Sequence, residues 1–146
     1  MDVTTVTIPV DGESRELCVA AEFLAYAPLD RAERVSSLDG RTSLIRFGVI
    51  GRATHVFLDE RTGWVVSGFN AADVALMNTS LDRFVECVAR LAAFYPYYSA
   101  ESDDEEWEMA AMRVQQVICE VDAAAYREGS FWYDFRWDVT QGDFYE

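Results

Sequence analysis

The pattern of apolar and polar positions divides the chain into strand-like segments followed by segments with helical periodicity. Residues 4–10 alternate weakly, are rich in β-branched side chains and end at an Asp-Gly turn, which predicts a strand. Runs rich in valine, isoleucine and aromatic residues predict four further strands, over residues 43–49, 54–58, 64–69 and 74–77. Because the turns between these four runs are short, they favour an antiparallel meander.

Beyond this meander the apolar period changes to that of a helix. Apolar side chains recur on one helical face over residues 81–95, and we expect Pro96 to stop this helix. Thr79, followed three residues later by Asp82, fits a capping box at the start. The pattern therefore predicts an amphipathic helix with one face against the sheet.

Two more helices are predicted in the last third of the chain. An apolar face extends over residues 107–125 and ends before Gly129. An aromatic segment over residues 131–139 predicts a short helix that starts at Ser130. Strands followed by helices, rather than alternating with them, are typical of an α+β fold, here an antiparallel sheet packed against C-terminal helices. The length predicts a single domain over residues 1–146.

The early part of the chain is less regular than the rest. Residues 15–26 are apolar with mixed periodicity and allow no firm assignment. Residues 28–40 are polar and irregular, and we expect a short helix around Ala32.

The charge narrows the functions that the chain can have. Among 146 residues there are 26 acidic side chains and 12 arginines but no lysine, so the formal net charge is −14. Without lysine the chain lacks the amine needed for Schiff-base chemistry. Repulsion from phosphate argues against nucleic-acid binding. The charge is uneven, with a net −4 over residues 1–73 and −10 over residues 74–146.

Three cysteines and one histidine are the candidate metal ligands. Cys18, Cys87 and Cys119 are widely spaced and show no close pairing of the kind that structural zinc sites use. Reduced, mostly buried thiols are therefore favoured over a Cys3His zinc site that would include His55. We expect neither a metal nor a cofactor.

The N-terminus and the apolar runs indicate the compartment. Residues 1–5 (MDVTT) lack the basic start and apolar run of a signal peptide. No apolar stretch approaches the about 18 residues of a membrane helix. We therefore expect a cytoplasmic protein that does not bind membranes.

Three stretches of the chain resemble the SUKH superfamily, most closely its fourth family. Residues 55–65 (HVFLDERTGWV) are similar to the family's strand, aspartate, Thr-Gly turn and second strand. Residues 77–84 (MNTSLDRF) are similar to its Asn-Ser-Ser-Leu-x-x-Phe start of a helix. Residues 121–123 (VDA) followed by 130–132 (SFW) are similar to an Asp-Pro-x-Ala stretch that leads to Phe-Trp, with alanine where proline is common. The resemblance implies a SUKH-like fold and a bacterial immunity protein.

The matching motif residues all have structural explanations. Aspartate and glycine suit a turn, side-chain oxygens cap the amides at a helix start, and large aromatic rings fill the space between helix and sheet. We interpret six residues in this way: Asp59, Gly63, Asn78, Ser80, Phe84 and Trp132. None of them forms a catalytic constellation.

An acidic segment over residues 101–108 is the first candidate for a binding surface. Its six acids are Glu101, Asp103, Asp104, Glu105, Glu106 and Glu108. The segment lacks the glycine and alternating oxygen ligands of a calcium loop. Two interpretations remain open and are compatible: a solvated helix start, where acids favour the positive end of the helix dipole, or a docking surface for a basic partner.

Three tyrosines in the same half of the chain are the second candidate. Tyr97, Tyr98 and Tyr133 fall off the clearest apolar faces, so we expect them to be exposed. Tyrosine supplies rigid contact area at protein interfaces, which makes these rings candidates for partner binding.

The leading hypothesis is a non-enzymatic immunity protein that binds a cognate bacterial toxin and blocks its active site or substrate surface. The resemblance implies the immunity role, and the acidic charge implies a basic toxin such as a nuclease or deaminase. An intracellular scaffold or adaptor with several protein partners is the alternative. An enzyme is the third possibility, and a histidine-dependent mechanism would have to use His55, the only histidine.

Overall fold

The structure is a computed structural model that describes residues 3–20, 22–36 and 43–144. Within these residues the chain forms seven strands followed by three α-helices. The strands are β1 (Thr4–Val10), β2 (Glu13–Val19), β3 (Tyr26–Ser36), β4 (Ser43–Ile50), β5 (Thr54–Asp59), β6 (Val65–Asn70) and β7 (Asp73–Asn78). The helices are α1 (Leu81–Ala92), α2 (Asp104–Asp122) and α3 (Phe131–Thr140), and short 3₁₀ turns cover Glu22–Leu24 and Ala123–Ala125.

The strands form two antiparallel sheets. Strands β1 and β2 make a hairpin, and β3 to β7 make a five-stranded sheet in which each strand pairs with the next in sequence. The predicted meander is confirmed and corresponds to β4 to β7, with each boundary within one residue of its predicted position. The α+β fold with C-terminal helices is also confirmed.

The segment expected to be irregular is instead strand β3, so the short helix expected around Ala32 is wrong. Val35 pairs with Leu44 of β4, and Glu33 pairs with Arg46. Strand β3 lies at one end of the sheet, where outward-facing side chains are solvated, and this explains its polar sequence. The last part of the predicted irregular segment, residues 37–40, lies outside the described residues.

The unassigned residues 15–26 contain most of the second strand of the hairpin, a 3₁₀ turn and the first residue of β3, and residue 21 lies outside the described residues. Alternate side chains of the hairpin are buried, including Ile8 and Val19. These join one hydrophobic core with the sheet and helices. Phe47 of β4 and Phe84 of α1 meet edge to face in this core, with ring centroids 5.8 Å apart.

Capping side chains determine where the helices begin. The N-cap of α1 is Ser80, whose hydroxyl accepts a hydrogen bond from the Arg83 amide at 3.1 Å. The expectation that Thr79 caps this helix is therefore wrong by one residue, because Thr79 donates its hydroxyl to Asp122 instead. The predicted start of α3 is confirmed, since Ser130 caps it by accepting from the Tyr133 amide.

The ends of the first two helices also differ from the expectation. Helix α1 ends at Ala92, ahead of the predicted stop at Pro96. Helix α2 ends at Asp122, and the last predicted turn adopts 3₁₀ geometry. None of the helices in the described part of the chain combines the length and apolarity that a membrane span needs.

Candidate functional site

A buried polar network connects the second and third motifs. Asp122, at the end of α2, accepts hydrogen bonds from Asn78 Nδ2 at 3.2 Å, from the Thr79 amide at 2.8 Å and from Thr79 Oγ1 at 2.9 Å. Asn78 Oδ1 accepts from the indole Nε1 of Trp132 at 2.9 Å. All four residues lie where β7, α1, α2 and α3 meet, and Asp122 is only 2 % exposed. These contacts stabilise the packing of three helices on the sheet.

The first motif forms the tight turn between β5 and β6. The Asp59 carboxylate accepts from the Arg61 amide at 2.9 Å, and the Asp59 carbonyl accepts from the Gly63 amide at 2.8 Å. Gly63 has a φ of +76°, a conformation in which a side chain would be strained. These contacts and the full burial of Phe84 indicate that the motif residues have structural roles.

The acidic segment contains the start of α2. Asp103 is the N-cap, and its carboxylate accepts from the Glu106 amide at 3.0 Å. The next three acids occupy the first helical turn, at the positive end of the helix dipole. Five of the six acids are exposed, and none of these five forms an ion pair with another residue that the structure describes. The segment is thus both a helix start and a patch of free negative charge.

The sixth acid, Glu108, is paired. Its carboxylate accepts from Arg136 Nη2 at 2.8 Å, and this bond lowers the pKa of Glu108. Arg136 is only 4 % exposed and also donates to Gln115 at 3.1 Å and to Thr140 at 2.6 Å. Glu108 therefore fastens α2 to α3 at one edge of the acidic segment.

Two of the three candidate tyrosines are not free surface rings. The expectation that Tyr98 is exposed is wrong: it is 8 % exposed, and its hydroxyl donates to the Val139 carbonyl at 2.6 Å. Tyr97 is half-buried, its hydroxyl donates to the Leu91 carbonyl at 3.1 Å, and burial raises its pKa. Tyr98 bonds the last turn of α3, and the Tyr97 ring packs against Phe135 and Phe144, so both rings are covered although they lie off the helical faces.

Tyr133 belongs to a group of three partly exposed rings, which we name the aromatic ladder: Tyr126, Tyr133 and Trp137. Ring centroids are 5.4 Å apart between the two tyrosines and 6.3 Å apart between Tyr133 and Trp137. Trp137 is 45 % exposed, and the Arg136 guanidinium lies 4.0 Å from its ring centroid. The same guanidinium binds Glu108, so the last acid of the acidic segment and one ring of the ladder contact the same side chain.

The sequence reasoning missed Tyr126, Trp137 and Arg136. The i, i+4 spacing of Tyr133 and Trp137 places them on one helical face and was an available signal. The arginine within the aromatic helix was a second available signal. A guanidinium that is buried among aromatic rings requires acidic or polar partners, so Arg136 pointed to a polar contact in this region.

The remaining chemically active side chains are dispersed. The expectation of mostly buried thiols is wrong, because Cys18 and Cys119 are exposed. Cys87 is buried, which raises its pKa to about 12. His55 Nδ1 lies 3.3 Å from Arg46 Nη1 on neighbouring strands. Within the described ranges, no three histidine, cysteine or acidic side chains cluster as ligands of a metal ion would.

The chain combines an α+β fold with motifs that form a turn, a helix cap and a buried polar network. A family model described as SUKH-4 immunity protein matches residues 4–138, and the chain therefore belongs to the SUKH-4 immunity protein family. The resemblance seen in the three motifs is confirmed, and the match also covers the hairpin and β3. Searches of curated proteins and of solved structures found no significant match.

Proposed function

We propose that this protein is a cytoplasmic, non-enzymatic immunity protein that neutralises a cognate toxin by stoichiometric binding. Membership of the SUKH-4 immunity protein family supports the toxin as partner. The motif residues support a binding role rather than catalysis, because their polar groups are used in turns, caps and the buried network.

The docking surface in this proposal combines the aromatic ladder with the five exposed acids of the acidic segment, which form no ion pair with any other residue that the structure describes. The single observation that carries the proposal is that Arg136 contacts both Glu108, the last acid of the segment, and Trp137 of the ladder. Aromatic rings supply contact area that loses little conformational entropy on binding. Free carboxylates at the same surface favour a partner of opposite charge and accelerate its association.

The negative charge of this surface indicates the kind of toxin that it would bind. Helices α2 and α3 lie in the half of the chain that carries ten of the fourteen net negative charges. A toxin that acts on nucleic acid, such as a nuclease or deaminase, presents a basic substrate groove. The acidic surface would occupy that groove in place of the phosphate backbone and so exclude the substrate.

Co-expression with the toxin encoded by the neighbouring gene tests the proposal. We expect growth to be rescued by the wild-type protein but not by the variant E101Q/D104N/E105Q/E106Q, which retains the Asp103 cap. The matched control E13Q/E16Q/D30N/D73N removes the same charge from exposed strand positions and should still rescue. Absence of rescue and of co-purification with the wild-type protein would reject the proposal, and several unrelated partners would favour the scaffold alternative.

A further inference from the structure

A groove separates the 3₁₀ turn Glu22–Leu24 from helix α3. Its volume is about 470 Å³. The apolar wall is formed by four phenylalanine rings: Phe23, Phe131, Phe135 and Phe144. Phe135 contacts the other three, with centroid separations of 4.8 Å to Phe144, 5.9 Å to Phe23 and 6.5 Å to Phe131. Phe23 and Phe135 are buried and Phe131 and Phe144 are half-buried, so the last two rings supply most of the accessible apolar surface of the wall.

Two carboxylates border this aromatic wall. Asp134 and Asp138 both line the groove, are exposed and lie one turn apart on α3. Neither forms an ion pair with another described residue. Partial burial, together with the charges of Asp134 and Asp143, raises the pKa of Asp138. The groove thus combines apolar rings with negative charge that this part of the chain does not neutralise.

Apolar rings beside carboxylates are complementary to the two parts of an arginine side chain, its methylene stem and its guanidinium. The methylene stem of arginine packs on apolar surface, and its flat guanidinium both stacks on aromatic rings and donates paired hydrogen bonds to carboxylates. The chain itself contains one such arrangement, in which Arg136 lies over Trp137 and binds Glu108. A lysine ammonium would satisfy the charge but not the stacking.

We propose that this groove binds an arginine side chain of the toxin, held between the phenylalanine wall and the carboxylates of Asp134 and Asp138. This inference rests on the proposed function, since it takes the toxin as the partner. The groove would add a concave binding site on α3, next to the face that carries the aromatic ladder. The exposed acids attract the toxin at long range, and the groove fixes its orientation.

Calorimetric titration of the toxin tests the groove separately from the proposed function. We expect D134N/D138N to bind at least about tenfold more weakly than wild type. The control E16Q/D73N makes the same charge change at exposed strand positions and should bind as wild type does. Wild-type affinity in D134N/D138N would overturn the groove and leave the proposed function standing. Failure of the wild-type protein to bind the toxin would reject both.

A direct probe does not require the toxin. Titration of the ¹⁵N-labelled protein with N-acetyl-argininamide should shift amide resonances of α3 and of the 3₁₀ turn, and D134N/D138N should abolish these shifts. The uncharged citrulline analogue serves as the control and should shift the same resonances less. No shifts at the groove, or equal shifts with citrulline, would contradict the proposal.

Discussion

The carboxylate of Asp122 connects more of the fold than any other single polar group described above. It accepts three hydrogen bonds from Asn78 and Thr79 and lies 3.6 Å from Arg83 Nη1. Asn78 in turn accepts from Trp132, so one buried anion aligns β7 with all three helices. A buried charge is tolerated in proteins when such donors surround it.

Replacing Asp122 with alanine should therefore destabilise the protein strongly. The substitution removes three hydrogen bonds and leaves buried donors unsatisfied, and we expect the free energy of unfolding to fall by about 3 kcal/mol. Urea denaturation measures this change. D73A, at the exposed first residue of β7, should stay within about 0.5 kcal/mol of wild type. A loss no larger than that of the control would show that the network contributes little.

Asp138 illustrates the opposite case, a carboxylate that the folded state disfavours. Its pKa is raised by burial and by neighbouring acids, and it lies near the negative end of the α3 dipole. At neutral pH the ionised group therefore costs stability, and this cost disappears as the pH falls through its raised pKa and the group binds a proton.

The variant D138N should consequently be more stable than wild type at pH 7, by about 0.5 kcal/mol. The difference should shrink as the pH approaches the ordinary range of aspartate, because the wild-type carboxyl is then protonated. Thermal unfolding of both proteins across this pH range measures the effect. A variant less stable than wild type at neutral pH would contradict the assigned environment.

At the scale of elements, apolar periodicity predicted most strands and helices because most elements bury one face. It failed for β3, whose polar residues pair at the end of the sheet, since edge pairing leaves little trace in hydrophobicity. It also could not say which rings of the aromatic segments are exposed. Tyr98 is buried and Trp137 is exposed for tertiary reasons, because a neighbouring segment covers one ring and not the other.

The start of α1 shows a finer limit of sequence reasoning. Thr79 and Ser80 are both good N-cap residues, and only the position of Asp122 determines which of them caps. We expect S80A to lower the free energy of unfolding by about 1 kcal/mol. The variant S80D retains an oxygen acceptor and should recover most of this loss in the same denaturation assay. Equal stability of S80A and wild type would mean that Ser80 does not cap the helix.

At the scale of the whole molecule, the net charge of −14 is concentrated in the helical half. This half includes five acids at the start of α2 that form no ion pair with any other described residue. Composition alone predicted a basic protein partner rather than nucleic acid. It could not locate the aromatic ladder beside the acids, because Tyr126 and α3 come together only through packing.

Association with the toxin should depend on salt if this surface steers the encounter. Raising the salt concentration from about 0.05 to about 0.5 M should reduce the association rate constant of the wild-type protein by about tenfold. The variant E101Q/D104N/E105Q/E106Q should lose most of this dependence, whereas the sheet control E13Q/E16Q/D30N/D73N should keep it. Stopped-flow mixing measures these rates, and equal salt dependence in all three proteins would contradict electrostatic steering by the acidic segment.

Titration of toxin activity with this protein tests stoichiometric neutralisation most directly. With the toxin concentration well above the dissociation constant, we expect activity to fall linearly and to reach zero at a fixed whole-number molar ratio. The inhibited toxin should regain its activity once the complex is dissociated and the proteins are separated. Complete inactivation by a small fraction of an equivalent, without recovery after separation, would instead show that the protein modifies the toxin as an enzyme and would contradict binding as the mechanism.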